Sequence, residues 1–417
     1  MSDNDVVIVG AGLAALRAAE RLRMRGFAGF ITMIGDETIA PYNRPPLSKQ
    51  MLTGKMRASE LGFQTFTRLA VTMRSGQRVL GVDPTRRQLH LDTGEHLSYG
   101  RLVIATGVKP RLLPGVPVHD ERVSMLRTLD DFHNFNRLLR GARRVAVVGG
   151  GFIGCEVAAS LRQRSMKVTL VDVAPVLLQR VLGQQLGATL TEVHRAAGVD
   201  LRLGTGVESW STGRSGIVLE LRDGSTVRAD VVLVAVGTMP VVDWLADCGV
   251  DTTDGVLCDE TSHVVGLDGA VAAGDVARWP NVRFGSEPRR VEHWINAVEH
   301  GQAAADSLLD GRARARPYAP IPRFWSEQHG VRIQSVGMPG IADRVELVQG
   351  QLEDRTFVAA CFRGDRIVGA LGFNSPRSML RFADIVDEAN PNPAAVERIT
   401  MPADPWNRQL IPHVVQA

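Results

Sequence analysis

Short apolar runs closed by glycine recur along the chain: VVIVG at 6–10, LVIATG at 102–107, VAVVGG at 145–150, VVLVAVG at 231–237 and AVAAG at 270–274. Runs this short, rich in β-branched residues and stopped by glycine, read as strands buried on both faces, the kind that parallel sheets need. After the first run, Leu16, Ala19 and Leu22 recur at helical spacing until Gly26 stops them, and FITMIGDE restores a strand pattern. Residues 5–34 are therefore a strand–helix–strand unit. Residues 143–172 repeat it: RRVAVVGGG, then FIGCEVAASLRQRS, then KVTLVD. Two such units in one chain are an internal duplication. Between the strands, polar alternating stretches around 87–100 and 216–230 turn around acidic-Gly pairs and predict antiparallel inserts. Beyond about residue 318 the pattern changes to longer alternating strands (331–337, 344–350, 356–373) and a helix near 375–389, followed by a Pro-containing extended tail over the last 25 or so residues. The expected fold class is α/β with two dinucleotide-binding units, plus a C-terminal α+β domain.

Composition narrows this little. The chain has 417 residues, 44% hydrophobic and 22% charged, which is ordinary for a packed globular protein and excludes disorder as its main state. No run of 18 apolar residues exists, so no membrane partner is expected. A net charge of +3 and 5% aromatic content give no basic, stacking surface, so no nucleic acid is expected. Four cysteines stand in no paired or zinc-like spacing, and the histidines are scattered, so no metal site is expected. The start MSDNDVVIVGAG lacks the charge and long apolar core of a secretory signal, and the expected location is the cytoplasm. Of the 48 basic residues only Lys49, Lys55, Lys109 and Lys167 are lysines, which draws attention to each of them.

The glycine turns carry the chemistry. Gly10-Ala11-Gly12-Leu13-Ala14-Ala15 is a G-x-G-x-x-A fingerprint between a strand and a helix. Gly10 permits the tight turn, and Gly12 lets the backbone approach a pyrophosphate held on the helix N-terminus. Asp36 and Glu37 follow the next strand, where a carboxylate accepts hydrogen bonds from ribose hydroxyls. The second fingerprint is Gly149-Gly150-Gly151-Phe152-Ile153-Gly154, with Asp172 ending its second strand. An acid there repels a 2′-phosphate, so NADH is expected over NADPH. Two dinucleotide sites call for two dinucleotides, and hydride transfer from nicotinamide to flavin uses both. FAD is the flavin expected, because it carries the adenosine half that such a fingerprint holds.

The segment GDETIAPYNRPPLSK (35–49), LVIATG, RTLDD (127–131), GGGFIGCEVA, AAGDVA and FWSEQ (324–328) occur in the order of one family. Together they make the chain resemble the FAD-dependent NADH:ferredoxin reductases, the group of putidaredoxin reductase, rubredoxin reductase and biphenyl-dioxygenase-type ferredoxin reductases, with a glutathione-reductase-like fold. The resemblance implies an FAD domain in two pieces, 1–112 and 244–318, an inserted NAD domain, 113–243, and a C-terminal domain, 319–417. It implies that Lys49 lies beside the flavin with Glu156 as its partner; the plainer readings are a surface lysine and an acid near a helix N-terminus. Asp275, after Gly274, resembles the acid that accepts from the FAD ribityl chain. Arg127 resembles an arginine near the FAD, and Arg44 stands in the same signature segment as Lys49. Val82, Ala14, Ala105, Thr106 and Gly107 line the adenosine pocket by resemblance. Trp294 corresponds to a position on the flavin ring and Trp325 to its rim, with core packing as the plainer reading of both. Gly237 opens GTMPV, a departure from the family's G-x-x-P-N pattern near the nicotinamide.

On this resemblance, hydride passes from NADH to FAD with reacting atoms about 3–3.5 Å apart. Electrons then pass singly to a [2Fe–2S] ferredoxin that serves a haem monooxygenase or a Rieske oxygenase. Residues 36–56 hold no cysteine, so no thiol relay is expected. Arg289, Arg290, Arg312, Arg314 and Arg316 are candidate contacts for an acidic partner. The alternatives are an NADH oxidase and an NADH-sensing flavoprotein like apoptosis-inducing factor. A monomer or a homodimer fits equally.

Overall fold

The computed structural model describes residues 5–387 and the short strand Leu410–Ile411. Its helices are α1 (Leu13–Met24), α2 (Leu129–Leu139), α3 (Phe152–Gln163), α4 (Gln179–Ala196), α5 (Trp294–Asp310) and α6 (Pro376–Asp387). The chain forms two compact units. The first comprises residues up to Asn43, Ser59–Lys109 and Thr238–Pro322. The second comprises Arg44–Ala58, Pro110–Gly237 and the residues from Arg323 onward.

In the first unit, five parallel strands lie in the order Ala270–Ala272, Arg101–Ile104, Val6–Val9, Ile31–Gly35, Thr72–Ser75. Val6 stands opposite both Ile31 and Arg101. Side chains alternate across the sheet. Val6 and Ile8 join Ala15, Ala18, Leu22, Ala304 and Ala305 in a cluster with α1 and α5. Val7 and Val9 join Val82, Leu89, Trp244 and Trp279 on the other face. Ile8 and Leu22 are fully buried, each stabilising the fold by roughly 1.5–3 kcal/mol. Helices α1 and α5 approach closely because Gly301 has no Cβ; one there would stand 2.4 Å from the Ala14 carbonyl oxygen. The antiparallel insert expected around 87–100 is the hairpin pair Val79–Asp83, Gln88–Leu91 and His96–Ser98.

The second unit repeats the plan with parallel strands Asp200–Leu203, Lys167–Asp172, Arg144–Val148, Val231–Val234 and Val123–Ser124. Its insert is Val207–Gly213, Gly216–Leu221 and Thr226–Ala229, whose Ile217 and Leu219 pack with Ala146 and Val232. The expected C-terminal strands are present as an antiparallel sheet, in the order Arg323–Gln328, Val331–Gly337, Arg366–Phe373, Thr356–Arg363, Arg344–Gln351, Leu410–Ile411. Helix α6 buries Met379, Phe382, Ile385 and Val386. The expected extended tail lies outside the described residues except for Leu410–Ile411, which pairs with Val345 and Glu346.

Two groupings in these units carry no local sequence signal. Arg44–Ala58 belongs with the second unit although it follows the first strand–helix–strand in sequence. The Ser160 hydroxyl donates to the Ser48 carbonyl, and Arg164 donates to the Leu52 carbonyl. The C-terminal sheet falls in the same compact unit as the second parallel sheet.

Candidate functional site

The first glycine turn is fixed by sterics. Gly10 has φ +113°, and a Cβ there would stand 2.1 Å from the Ala105 carbonyl oxygen, so only glycine fits. Gly12 caps α1 with an extended backbone, and a Cβ on it would meet nothing within 4 Å. No side-chain cap bonds to α1 at Gly12 and no acid stands in its first turn, so the chain supplies no side-chain anion to its leading N–H groups there. That is an anion cradle that the pyrophosphate of FAD fits. Leu13 and Ala14 open the helix, and Ala15, fully buried, occupies the third fingerprint position. A Cβ on Gly274 would lie 2.8 Å from the Ala14 methyl, so the Gly274–Asp275 turn and the start of α1 are neighbours. Asp275 shares that turn and is partly exposed, its carbonyl accepting from Arg290.

Around this turn, the Thr106 hydroxyl donates to the Val241 carbonyl at 2.7 Å, and Gly107 has φ +68°. Val82 is buried with Val9 and Ile34 behind the strand ends. Asp36 is exposed, with Arg78 at 3.9 Å, while one Glu37 oxygen accepts from the Tyr42 hydroxyl at 2.7 Å. Trp294 begins α5 and donates from its indole to the Asn43 side chain at 2.9 Å.

In the second unit Gly149 repeats the geometry of Gly10. Its φ is +113° and a Cβ would stand 2.2 Å from the Ala235 carbonyl oxygen. Gly154 has no room either, because a Cβ would stand 1.9 Å from the Gly149 oxygen. Gly151 caps α3 and faces open space, again with no side-chain cap. NAD(H) fits this second cradle. Asp172 braces it by accepting from the Gly150 N–H on one oxygen and the Ala174 N–H on the other. Ile153 is exposed at the mouth of the helix, and Phe152 packs edge-on against Phe324. Gly237 has φ +104° and its carbonyl accepts from the Arg111 N–H.

The same unit holds the charged cluster. The PPLS turn (Pro45–Ser48) ends at Lys49, whose ammonium lies 2.5 Å from Oε2 of Glu156, a residue on α3 with a side chain only 5% exposed. Such a carboxylate needs partners to compensate its lost hydration. Glu156 has them: Oε2 also accepts from the Ser48 hydroxyl at 2.6 Å, and Oε1 accepts from the Ser326 hydroxyl at 2.7 Å. The plainer reading of Glu156 fails on position, since α3 carries no acid in its first turn. Arg44 donates to the Arg127 carbonyl at 3.0 Å, which brings those two expected residues together. Trp325, one residue from Ser326 on an alternating strand, is 39% exposed.

Ser48 and Ser326 were not among the expected site residues. For Ser326 a signal was available, since it alternates onto one face with Phe324 and Gln328, opposite the exposed Arg323, Trp325 and Glu327. Of the candidate basic contacts, Arg289, Arg312, Arg314 and Arg316 are exposed, and three of the five arginines have partners within the chain. Arg290 is occupied by Asp254 and Glu292, Arg312 by Asp259 and the Val264 carbonyl, and Arg314 by the Asp310 carbonyl. All four cysteines are free, and Cys155, Cys258 and Cys361 are buried. Among the described residues no group of His, Cys, Asp and Glu could hold a metal ion, and no helix is long and apolar enough to cross a membrane.

Comparisons with known proteins agree with this geometry. A family model described as pyridine nucleotide-disulphide oxidoreductase matches residues 4–301, and one described as reductase C-terminal matches residues 323–399. The ferredoxin–NAD(+) reductase component of the p-cumate 2,3-dioxygenase system of Pseudomonas putida is 36% identical over 381 residues, 90% of this chain and 91% of that protein. Putidaredoxin reductase of Pseudomonas putida is 34% identical over 402 residues, 94% of each. The crystal structure of the covalent putidaredoxin reductase–putidaredoxin complex matches with a TM-score of 0.88 at 31% identity, covering 95% of this chain and 96% of that one. Two glycine cradles built alike, a lysine–glutamate pair and relatives that span nearly the full length lead to one assignment: the chain belongs to the pyridine nucleotide-disulphide oxidoreductase family, among its FAD-dependent ferredoxin–NAD(+) reductases.

Proposed function

We propose that this chain takes electrons from NADH and delivers them to a small [2Fe–2S] ferredoxin serving a haem monooxygenase or a Rieske oxygenase, with FAD between. FAD, when bound, supplies the conversion of a hydride into two single electrons. The observation that carries the reading is the pair of uncapped helix N-termini at Gly12 and Gly151, each opening onto space that a glycine leaves clear. One cradle without the other would hold one dinucleotide and leave no donor–acceptor couple.

The residues divide the work. Gly10, Gly12, Leu13 and Ala14 present the α1 N–H groups to the FAD pyrophosphate, with Asp36 or Glu37 for the ribose and Asp275 for the ribityl chain. Gly149, Gly151, Phe152 and Ile153 present the α3 N–H groups to NADH. Lys49 sets a positive charge beside the flavin and Glu156 holds it there. FAD binding is assigned to 1–112 and 244–318, NAD binding to 113–243 and closure of the site to 319–417. With no cysteine pair near Lys49 to accept electrons, a thiol relay has no residues to run on, which favours direct delivery to a one-electron carrier. The cytoplasm is the location that fits.

The test is anaerobic rapid mixing of the FAD-loaded protein with NADH and with NADPH, following the visible flavin band, then addition of a [2Fe–2S] ferredoxin. Fast bleaching by NADH, slow bleaching by NADPH and reoxidation by the ferredoxin are expected. Bleaching by neither nucleotide sinks the proposal; bleaching followed by reoxidation only in oxygen replaces it with the oxidase alternative.

A further inference from the structure

Beyond Glu156 the buried polar side chains continue in one unbroken line. Ser326 donates to Glu156 Oε1 and accepts from the Gln328 amide at 3.0 Å. Gln328 Oε1 faces His194 Nε2 at 2.9 Å, and His194 Nδ1 faces His329 Nε2 at 3.3 Å, the two rings meeting edge to face. Ser326, Gln328 and His194 are at most 1% exposed, and His329 is partly exposed. Three separate elements supply the line: α3, the strand Arg323–Gln328 and α4.

Hydrogen-bond direction along the line is fixed by its end. A carboxylate only accepts, so Ser326 must donate to it, and the Ser326 oxygen is left to take the Gln328 NH₂. The Gln328 carbonyl then faces His194, so His194 carries its proton on Nε2. His194 Nδ1 is left as an acceptor for the His329 Nε2–H. Burial lowers the pKa of His194 below its ordinary value, against the opposing Gln328 contact. Burial, His194 and Arg162 together push His329 down to about 4. Both rings are neutral at neutral pH, and the donor–acceptor order stays as described. An amide in the middle does not relay protons readily, so the line is a brace and not a proton path.

We infer that His194 and Gln328 are positioning residues that, through Ser326, hold the Glu156 carboxylate and with it the Lys49 ammonium in a single orientation. The inference rests on the reading that Lys49 serves the flavin. Without His194, the Gln328 amide is free to turn over, and Ser326 loses the contact that aims its hydroxyl. The lysine charge then samples more than one position.

The test uses FAD-loaded wild type, His194→Leu, His194→Gln and Lys49→Met. The readouts are flavin midpoint potential, bleaching rate at saturating NADH, apparent NADH affinity and melting temperature. In His194→Leu the bleaching rate is expected to fall about tenfold, with NADH affinity held within about twofold. The midpoint potential should move in the same direction as in Lys49→Met but by less. His194→Gln, which keeps a donor and an acceptor, should recover most of both. A lower melting temperature with wild-type potential and rate in His194→Leu reduces the line to packing and overturns the inference. If Lys49→Met also leaves potential and rate unchanged, it is the flavin reading of Lys49 that has failed. Should His194→Leu not fold, ¹⁵N-histidine spectra of the unaltered holoprotein decide. A neutral His194 with its proton on Nε2 at neutral pH supports the line, and a proton on Nδ1 or a charged ring there overturns it.

Discussion

Gly10 and Gly12 stand two residues apart in one turn and serve opposite needs. Gly10 is required by the fold: an alanine there is strained by φ +113° and would drive its methyl into the Ala105 backbone. Gly10→Ala is expected to destabilise the chain by about 3 kcal/mol or more, read by denaturant unfolding. On the proposed function Gly12 serves the ligand. Its Cβ would meet nothing, so Gly12→Ala should unfold at the wild-type denaturant concentration while holding FAD about tenfold or more weakly. Equal losses of stability in the two variants would contradict this division. Both glycines were legible from the fingerprint, because one spacing encodes both needs. The partners of Glu156 were less so. Lys49 could be named from the PPLSK segment, but Ser326 and His194 lie far along the chain from α3. Only the folded register of the strand Arg323–Gln328 brings Ser326 to that carboxylate and Gln328 to His194.

At the scale of elements, the strand–glycine–helix units were readable because alternation, glycine and helical spacing are all local signals. The assignment of Arg44–Ala58 was not, since it is decided by hydrogen bonds from Ser160 and Arg164 across more than a hundred residues. The ion pairs of Arg290 and Arg312 with Asp254 and Asp259 were not readable for a related reason, since those acids are distant in sequence and give no periodic hint. Asp172 illustrates an element end with two tasks. It was expected to meet a ribose, and it also pins the glycine turn through Gly150 and the next loop through Ala174. Asp172→Ser removes the carboxylate that disfavours a 2′-phosphate, so the preference for NADH over NADPH in kcat/KM is expected to narrow by about tenfold. Melting temperature should fall at the same time. An unchanged nucleotide preference would assign Asp172 to the turn alone.

Across the whole molecule, burial of histidines links stability to acidity. Burial pushes His300 down to about 3, and burial pushes His293 and His329 down to about 4. His194 and His263 are lowered in the same direction, first by burial. Each folded value lies below the unfolded value of about 6.5, so below that pH the unfolded chain binds more protons. The stability these rings contribute is whole above about pH 6.5 and is lost as pH falls from there towards 4 and 3. For a deeply buried ring such as His300 the loss is about 1.4 kcal/mol per pH unit. Melting temperature measured from pH 7.5 downward should therefore start to fall near pH 6.5, before the carboxylates titrate. A melting temperature that stays level to pH 4.5 would mean that these rings accept protons without unfolding the chain.

The buried thiols have a practical consequence. Cys155, Cys258 and Cys361 have their pKa values raised chiefly by burial, Cys361 to about 12, and nearby acids add to this for Cys155 and Cys258. Thiols of this kind hold almost no thiolate at neutral pH and react slowly with electrophiles and peroxide. Cys248 is the partly exposed one of the four. A maleimide should therefore attach once per folded chain, and at all four positions after denaturation. The native protein thus comes with one address for a fluorophore or spin label on the unit that carries the first glycine turn, and no cysteine need be engineered in or out to use it.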